Sequence, residues 1–419
     1  MTAPSPRGPA LPLPGSENCV HCGFCLQACP TYLALDDEND SPRGRIVLMK
    51  GLADGTLSFD DADAQLHLDR CLGCRACETA CPSGVPYGQL LELTRERAAE
   101  RRALPAVARL ILFVFSRPRL LAVAMWKARL IRASRIPALL AQLPGRVGFA
   151  MAMVASTRRS GEERSRSYDH RGTGARGKVA TLDGCVMEGL FAPANRATER
   201  TLEANDYSLV RAPAQRCCGA LHAHAGDAAT ARDLARANIA AFERSGAEFI
   251  AVNSAGCGAA MKEYAHLLSA DDAWRDRARA FSAKVRDVSE LLAAAGPAAG
   301  GAVPVRVAYD APCHLLHGQR VASPPLAVLD AIPGLERAPL VDSDQCCGSA
   351  GIYNLVEPEI SDLVLRPKLA NIAASGASIV ATGNPGCLMQ MGAGLLRAGS
   401  KTQLRHPVEL LDASYARRS

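Results

Sequence analysis

Sixteen cysteines lie in this chain of 419 residues, and the first eight constrain the fold most. Cys19, Cys22, Cys25 and Cys29, followed by Pro30, have the spacing C-x2-C-x2-C-x3-C-P. Cys71, Cys74, Cys77 and Cys81, followed by Pro82, repeat it. Backbone this dense in thiols must wrap around whatever the sulfurs hold. Residues 1–18 contain no apolar signal-like stretch, so a reducing, cytoplasmic setting is expected. There, thiols serve metal or redox chemistry in preference to disulfides.

The doubled spacing is the ferredoxin-type run that holds two [4Fe-4S] clusters. Three cysteines in a tight loop reach three corners of one cube. The fourth, about a helical turn away, points toward the second cube. Cys19, Cys22, Cys25 and Cys81 are therefore expected around one cluster, and Cys71, Cys74, Cys77 and Cys29 around the other. A pair of zinc sites is the competing use of such thiols. Four thiolates make a buried anion, and Arg70 and Arg75 are expected to supply countercharge or to lie in solvent. A cube with every iron ligated has no open position for substrate, so this part of the chain reads as an electron conductor.

The other eight cysteines form an internal repeat. Cys185, Cys217-Cys218-Gly219 and Cys257 are matched by Cys313, Cys346-Cys347-Gly348 and Cys387, offset by 128, 129 and 130 residues. A fixed offset signals a duplicated structural unit. Short apolar runs at Val179–Leu182, Phe249–Val252, Val305–Tyr309 and Ala377–Ala381 suit buried strands. Ala-rich stretches at Asp227–Ser245 and Pro358–Ala374 suit helices. Alternation of the two predicts parallel sheets covered by helices, with ligand sites outside the carboxyl ends of strands. The Gly/Ala/Pro segment Ala293–Pro304 reads as a linker. The expected architecture is an α/β multidomain chain: a small α-rich ferredoxin-type domain over 1–100, a basic helical linker over 101–177, and related α/β repeats over 178–296 and 303–415.

The linker is where the charge concentrates. Twelve basic residues and no acid lie from Arg101 to Arg159, while the whole chain carries +6, so the rest sums to −6. Two short apolar stretches, Ala106–Phe115 and Leu120–Trp126, are embedded in it. Such a segment suits an amphipathic helix on anionic lipid or on an acidic partner, or a helix packed between domains. No run approaches the ~18 apolar residues of a membrane span, and no recognition motif suggests nucleic acid.

The two C…CCG…C units resemble the cysteine-rich CCG domain of the heterodisulfide reductase family. That pattern ends in C-x-x-C, whereas Ser254 and Asn384 stand here at the first of those positions. The resemblance implies a non-cubane iron–sulfur cluster on five cysteines per unit. With four, the readings for Cys185, Cys217, Cys218 and Cys257, and for Cys313, Cys346, Cys347 and Cys387, are four. They are an ordinary [4Fe-4S] cluster, a non-cubane cluster with Ser254 or Asn384 in the fifth place or that place empty, a zinc site, or a metal-free redox-active dithiol or disulfide. His222, His224, His314 and His317 flank these cysteines as extra ligands, hydrogen-bond donors to the ligands or ordinary helix-end residues.

The combined layout, together with Ser41-Pro-Arg-Gly-Arg-Ile46, resembles the iron–sulfur subunits of bacterial glycolate oxidases. Heterodisulfide-reductase-like and glycerol-3-phosphate dehydrogenase iron–sulfur subunits share much of it. The resemblance implies an oxidoreductase complex in which FAD-binding subunits oxidise glycolate to glyoxylate, with D-lactate to pyruvate as a further candidate reaction. Electrons would pass through this chain to a quinone or other acceptor, in the cytoplasm or on the inner face of the cytoplasmic membrane. No catalytic residue of its own is expected. The chain has no G-x-G-x-x-G fingerprint, so it is not expected to bind the flavin itself.

Overall fold

The computed structural model describes residues 11–158 and 172–418. The far end of the basic segment, Arg159 included, lies outside the described residues.

Residues 11–104 form a small helical unit built over the first eight cysteines. The stretch Ser41–Ile46 shows why its residue order matters. Ser41 caps helix Pro42–Asp54, its hydroxyl accepting from the Gly44 amide at 3.0 Å, and Pro42 follows in the first turn, where its missing N–H costs nothing. Gly44 is required because a Cβ would lie 2.0 Å from the Glu38 carbonyl oxygen. Arg43 reaches out to the His21 carbonyl at 3.1 Å and to Glu38 at 2.6 Å, tying helix to cysteine loop. Arg45 points inward, only 1 % exposed.

Each repeat folds around a four-stranded parallel sheet. The first is ordered β2-β1-β3-β4, with β1 Lys178–Thr181, β2 Ser208–Leu209, β3 Phe249–Val252 and β4 Val285–Asp287. The second is ordered β6-β5-β7-β8, with β5 Val305–Tyr309, β6 Leu335–Ala338, β7 Ile379–Ala381 and β8 Gln403–Arg405. The topologies are the same, as the fixed offset requires. The expected central strands form within a residue or two, and the Ala-rich stretches become helices Ala228–Glu243 and Pro358–Ser375.

The repeats are not independent beads. Val179, Leu202 and Leu292 from the first share one apolar core with Val307, Val328, Leu411 and Tyr415 from the second. Arg200 pairs with Asp412 at 2.6 Å, and Asn205 donates to the Tyr415 hydroxyl at 2.9 Å. The segment expected to be a loose linker is therefore tied down. Helix Val288–Ala295 runs into it, Val303 is buried in the shared core, and Gly301 N donates to Ser414 O at 2.8 Å.

The basic segment forms four helices, Ala106–Phe115, Pro118–Ala133, Ile136–Leu140 and Gly145–Ser156. Their inner side packs on both repeats. His222 Nε2 bonds the Leu112 carbonyl at 3.1 Å, Arg132 donates to Leu190 O at 2.9 Å, and Phe149 joins the core around Leu395. Their outer side is uncovered: among the described residues, twelve of the twenty large apolar side chains that stand exposed lie between Val107 and Val147. No helix among the described residues is long and apolar enough to cross a membrane.

Candidate iron–sulfur centres

The first cysteine run is a loop in which the left-handed residues His21 and Gly23 flank Cys22. Cys19, Cys22, Cys25 and Cys81 line one cavity with it, and Cys77 joins them on its wall. This end of the molecule faces solvent: Cys22 is exposed, Val20 is 69 % exposed and Phe24 68 %.

The other four thiols of the helical unit lie deeper. Cys29, Cys71, Cys74 and Cys77 are all buried, and burial followed by neighbouring sulfurs pushes the Cys74 and Cys77 thiols up. The Cys29 Sγ sits 3.2 Å from the Thr31 hydroxyl, and the Tyr87 hydroxyl donates to Cys71 Sγ at 3.5 Å. Burial alone would push the Cys71 thiol up. The guanidiniums of Arg45 and Arg95 outweigh it, and the thiol falls below its usual value.

Those two arginines correct a sequence expectation. Arg70 and Arg75 do not attend the sulfurs. Arg70 donates to Asp40 at 3.1 Å, and Arg75 is held by Glu78 at 2.9 Å and by Glu263 of the first repeat. Arg45 instead lies under the site, with Nη1 3.0 Å from the Thr31 hydroxyl and 4.0 Å from Cys29 Sγ. Arg95 donates to the Cys71 carbonyl at 2.7 Å. The signal for Arg45 was present in the Ser41–Ile46 motif, but its inward direction depends on helix packing. Arg95 gave none.

In the repeats, all eight cysteines lie after the carboxyl ends of parallel strands. Cys185 and Cys257 open helices after β1 and β3, and Cys387 does the same after β7. Cys313 follows β5 and precedes a π-helical turn, His314–Gly318. The CCG pairs sit in loops after β2 and β6. Gly219 and Gly348 both have φ of 83°, and a Cβ on Gly348 would lie 2.6 Å from Ser361 O, so the glycine of each CCG is obligatory. In the first repeat Cys185 and Cys217 approach to 3.9 Å, and the free thiol of Cys218 lies beside those of Cys217 and Cys257. In the second, Cys346 meets Cys313 and Cys347, and Cys347 meets Cys387. Two converging sets of four free thiols fit a soft thiophilic metal or an iron–sulfur cluster.

Both sets open onto one cavity, which Ser254 and Asn384 also line. The two loops that carry them touch: Ala255 N donates to Gly383 O at 3.0 Å, and Asn384 Oδ1 accepts from Gly256 N at 3.3 Å. Asn384 Nδ2 donates to Cys387 Sγ at 3.3 Å. Asn384 thus acts as a hydrogen-bonding bridge between repeats.

The four histidines fasten domains together. His224 Nδ1 pairs with Glu92 at 3.2 Å, His314 Nε2 bonds the Gly73 carbonyl at 3.0 Å, and His317 Nδ1 bonds Thr79 at 3.0 Å. Gly73 lies between Cys71 and Cys74, so His314 joins the deeper thiol set directly to the second repeat. Cys74 and Cys313 are close enough that burial and then the Cys313 sulfur raise the Cys74 thiol. Spacing along the chain carried no sign of this contact.

A family described as "4Fe-4S dicluster domain" matches residues 15–85, and "Cysteine-rich domain" (CCG) matches 179–262 and 307–392. The chain is 39 % identical over 412 residues to the probable glycolate oxidase iron-sulfur subunit of Bacillus subtilis, covering 94 % of this chain and 93 % of that protein. It is 34 % identical over 403 residues to the glycolate oxidase iron-sulfur subunit of Escherichia coli K12, with the same coverage of each, 94 % and 93 %. Lactate utilization protein A of Exiguobacterium sp. is 28 % identical over 236 residues, 56 % of this chain and 96 % of its own. With end-to-end likeness to two such subunits and thiol sets positioned for iron–sulfur clusters, the chain belongs to the glycolate oxidase iron–sulfur subunit family, the electron-transfer component of an oxidoreductase.

Proposed function

We propose that this chain receives electrons from FAD-binding subunits that oxidise glycolate to glyoxylate, and D-lactate to pyruvate, and delivers them to a quinone or other non-oxygen acceptor. Cys19, Cys22, Cys25 and Cys81 hold one [4Fe-4S] cluster, and Cys71, Cys74, Cys77 and Cys29 the other. Cys185, Cys217, Cys218 and Cys257, with Cys313, Cys346, Cys347 and Cys387, hold further iron–sulfur clusters in preference to zinc. When bound, such clusters take up and release single electrons. The chain has no part in breaking the substrate C–H bond.

The observation that carries this reading is the order of the thiol sets. One set is exposed beside Val20 and Phe24, where a partner subunit can dock. The next is buried under Arg45 and Arg95, which offset the negative charge of thiolates. That set abuts Cys313 of the second repeat, and both repeats meet at one cavity. The thiol sets thus adjoin one another from the surface to the interior, which supports a path for electrons. Iron and acid-labile sulfide on anaerobically purified chain test it. About twelve to sixteen irons are expected, with glycolate-dependent bleaching once the flavoprotein subunits are added. A count of about eight places no iron in the repeats, and a colourless, iron-free chain refutes the reading altogether.

The outer side of the basic segment supports attachment to the inner face of the cytoplasmic membrane. Leu110, Phe113, Val123, Trp126 and Leu139 are exposed among Arg109, Arg117, Arg119, Lys127 and Arg129, with no carboxylate nearby in sequence. Apolar groups set among cations suit an anionic bilayer surface. The chain is expected to co-sediment with vesicles containing phosphatidylglycerol but not with pure phosphatidylcholine, and less so at high salt. Leu110→Glu with Trp126→Glu is expected to weaken binding about tenfold or more, since each replaces an exposed apolar side chain that the bilayer would cover. Unchanged sedimentation of that variant contradicts the attachment.

A further inference from the structure

Tyr87 touches both thiol sets of the helical unit. It opens helix Tyr87–Ala99, its amide donating to the Val85 carbonyl at 2.9 Å. Its side chain is buried, in one core with Ile46, Met49 and Leu90. It lines the cavity that Cys19, Cys22, Cys25 and Cys81 share. Its hydroxyl bonds Cys71 Sγ, a member of the deeper set, at 3.5 Å.

That bond has a direction. A phenol and a thiol can each give or accept a proton. Against burial, Arg45 and Arg95 hold the Cys71 thiol below its usual value, while burial pushes the Tyr87 phenol well above its own. The proton therefore stays on the phenol and negative charge collects on the sulfur. The Gly73 amide donates to the same sulfur at 3.4 Å. Hydrogen bonds to the ligand sulfurs are among the determinants of an iron–sulfur potential. Reduction adds negative charge, so a donor on such a sulfur favours the reduced form over the oxidised one.

We infer that Tyr87 is a positioning residue for electron transfer: by donating to Cys71 it raises the reduction potential of the deeper centre and favours passage of electrons inward from the exposed set. This rests on the reading that both sets hold iron–sulfur clusters, and it names the side chain that biases the step between them. In that step one electron crosses. The exposed centre is oxidised by one and the deeper one reduced by one. No bond forms or breaks, and the phenolic proton stays on its oxygen.

Redox titration of the iron-loaded full chain, followed by EPR, tests the inference. Tyr87→Phe keeps the ring and removes only the hydroxyl. It is expected to lower one reduction step about tenfold in its equilibrium constant, about 59 mV for one electron, and to leave the other steps in place. 3-Fluorotyrosine at position 87 is a stronger donor and should move the same step upward, a reversal that disturbed packing would not produce. On the reduced chain, ENDOR should show a strongly coupled exchangeable proton that Tyr87→Phe lacks. Unmoved potentials with that proton still present in Tyr87→Phe overturn the inference, and so does a shift in the same direction by both replacements. Iron content and melting temperature identify a Tyr87→Phe chain that has not folded. The fluorotyrosine chain, which keeps both ring and hydroxyl, then decides by the sign of its shift. An iron-loaded chain whose potentials ignore Tyr87 sinks the inference alone, whereas a colourless, iron-free chain sinks the cluster reading and the inference with it.

Discussion

A chain carrying Cys22→Ser and Cys74→Ser, reconstituted with the flavoprotein subunits, is expected to deliver electrons at the background rate. The two substitutions strike one thiol in each of the sets that precede the repeats. A serine oxygen is a harder and much less acidic donor than a thiolate, so it is a poor substitute at an iron–sulfur centre. The loss should be at least about a hundredfold in dye reduction, about 2.7 kcal/mol or more on the rate. Iron per chain should fall in parallel. The isolated flavoprotein subunits should keep oxidising glycolate with a dye that accepts from flavin directly, which separates loss of conduction from loss of catalysis. Unimpaired delivery by the doubly substituted chain would refute the assignment of both sets.

Arg45→Met should be the most damaging single change away from the cysteines. Asp40 is fully buried and bonded to Arg45 at 2.9 Å and to Arg70 at 3.1 Å. Arg45 also donates to the His67 carbonyl at 2.7 Å and to Thr31 beside Cys29. Removing it leaves that buried carboxylate with Arg70 as its remaining arginine partner, at a cost of about 3 kcal/mol, the low end for a broken buried pair. It also withdraws positive charge from the Cys71 side of the deeper set. The helical unit is expected to lose iron on desalting and to melt well below wild type. Asp40→Asn in the same chain should restore part of the melting temperature, because the under-compensated buried charge is gone, but should restore less of the iron. Equal recovery of both would mean that Arg45 acts only through Asp40.

The contrast between Arg45 and the expected Arg70 and Arg75 shows what was legible in the sequence. Cysteine spacing is a local property set by the reach of a few residues around a cofactor, so the two ferredoxin-type runs stand out unaided. The repeat was equally plain, because two copies constrained by one fold preserve their offsets. The central strands followed from short apolar runs. Contacts between distant segments left no such trace. Arg75 looked available to the sulfurs, but Glu263, 188 residues away, holds it. His314 could have been a ligand on spacing alone, but its ring reaches the Gly73 carbonyl, 241 residues away. The segment Ala293–Pro304 has linker composition, and only the packing of Val303 shows that it is part of a core. In the basic segment one face packs on the repeats and the other is open, a division that composition cannot resolve.

The core common to both repeats has a consequence for how the duplication can have arisen. Leu202 and Leu292 on one side, and Val328 and Leu411 on the other, are buried in the single core that the two halves share. A solitary copy would leave that face wet and would be driven to pair with its twin, as symmetric homodimers do. The tandem chain is then a fused dimer, and cutting it between residues 296 and 303 should yield two fragments that survive only when they find one another again.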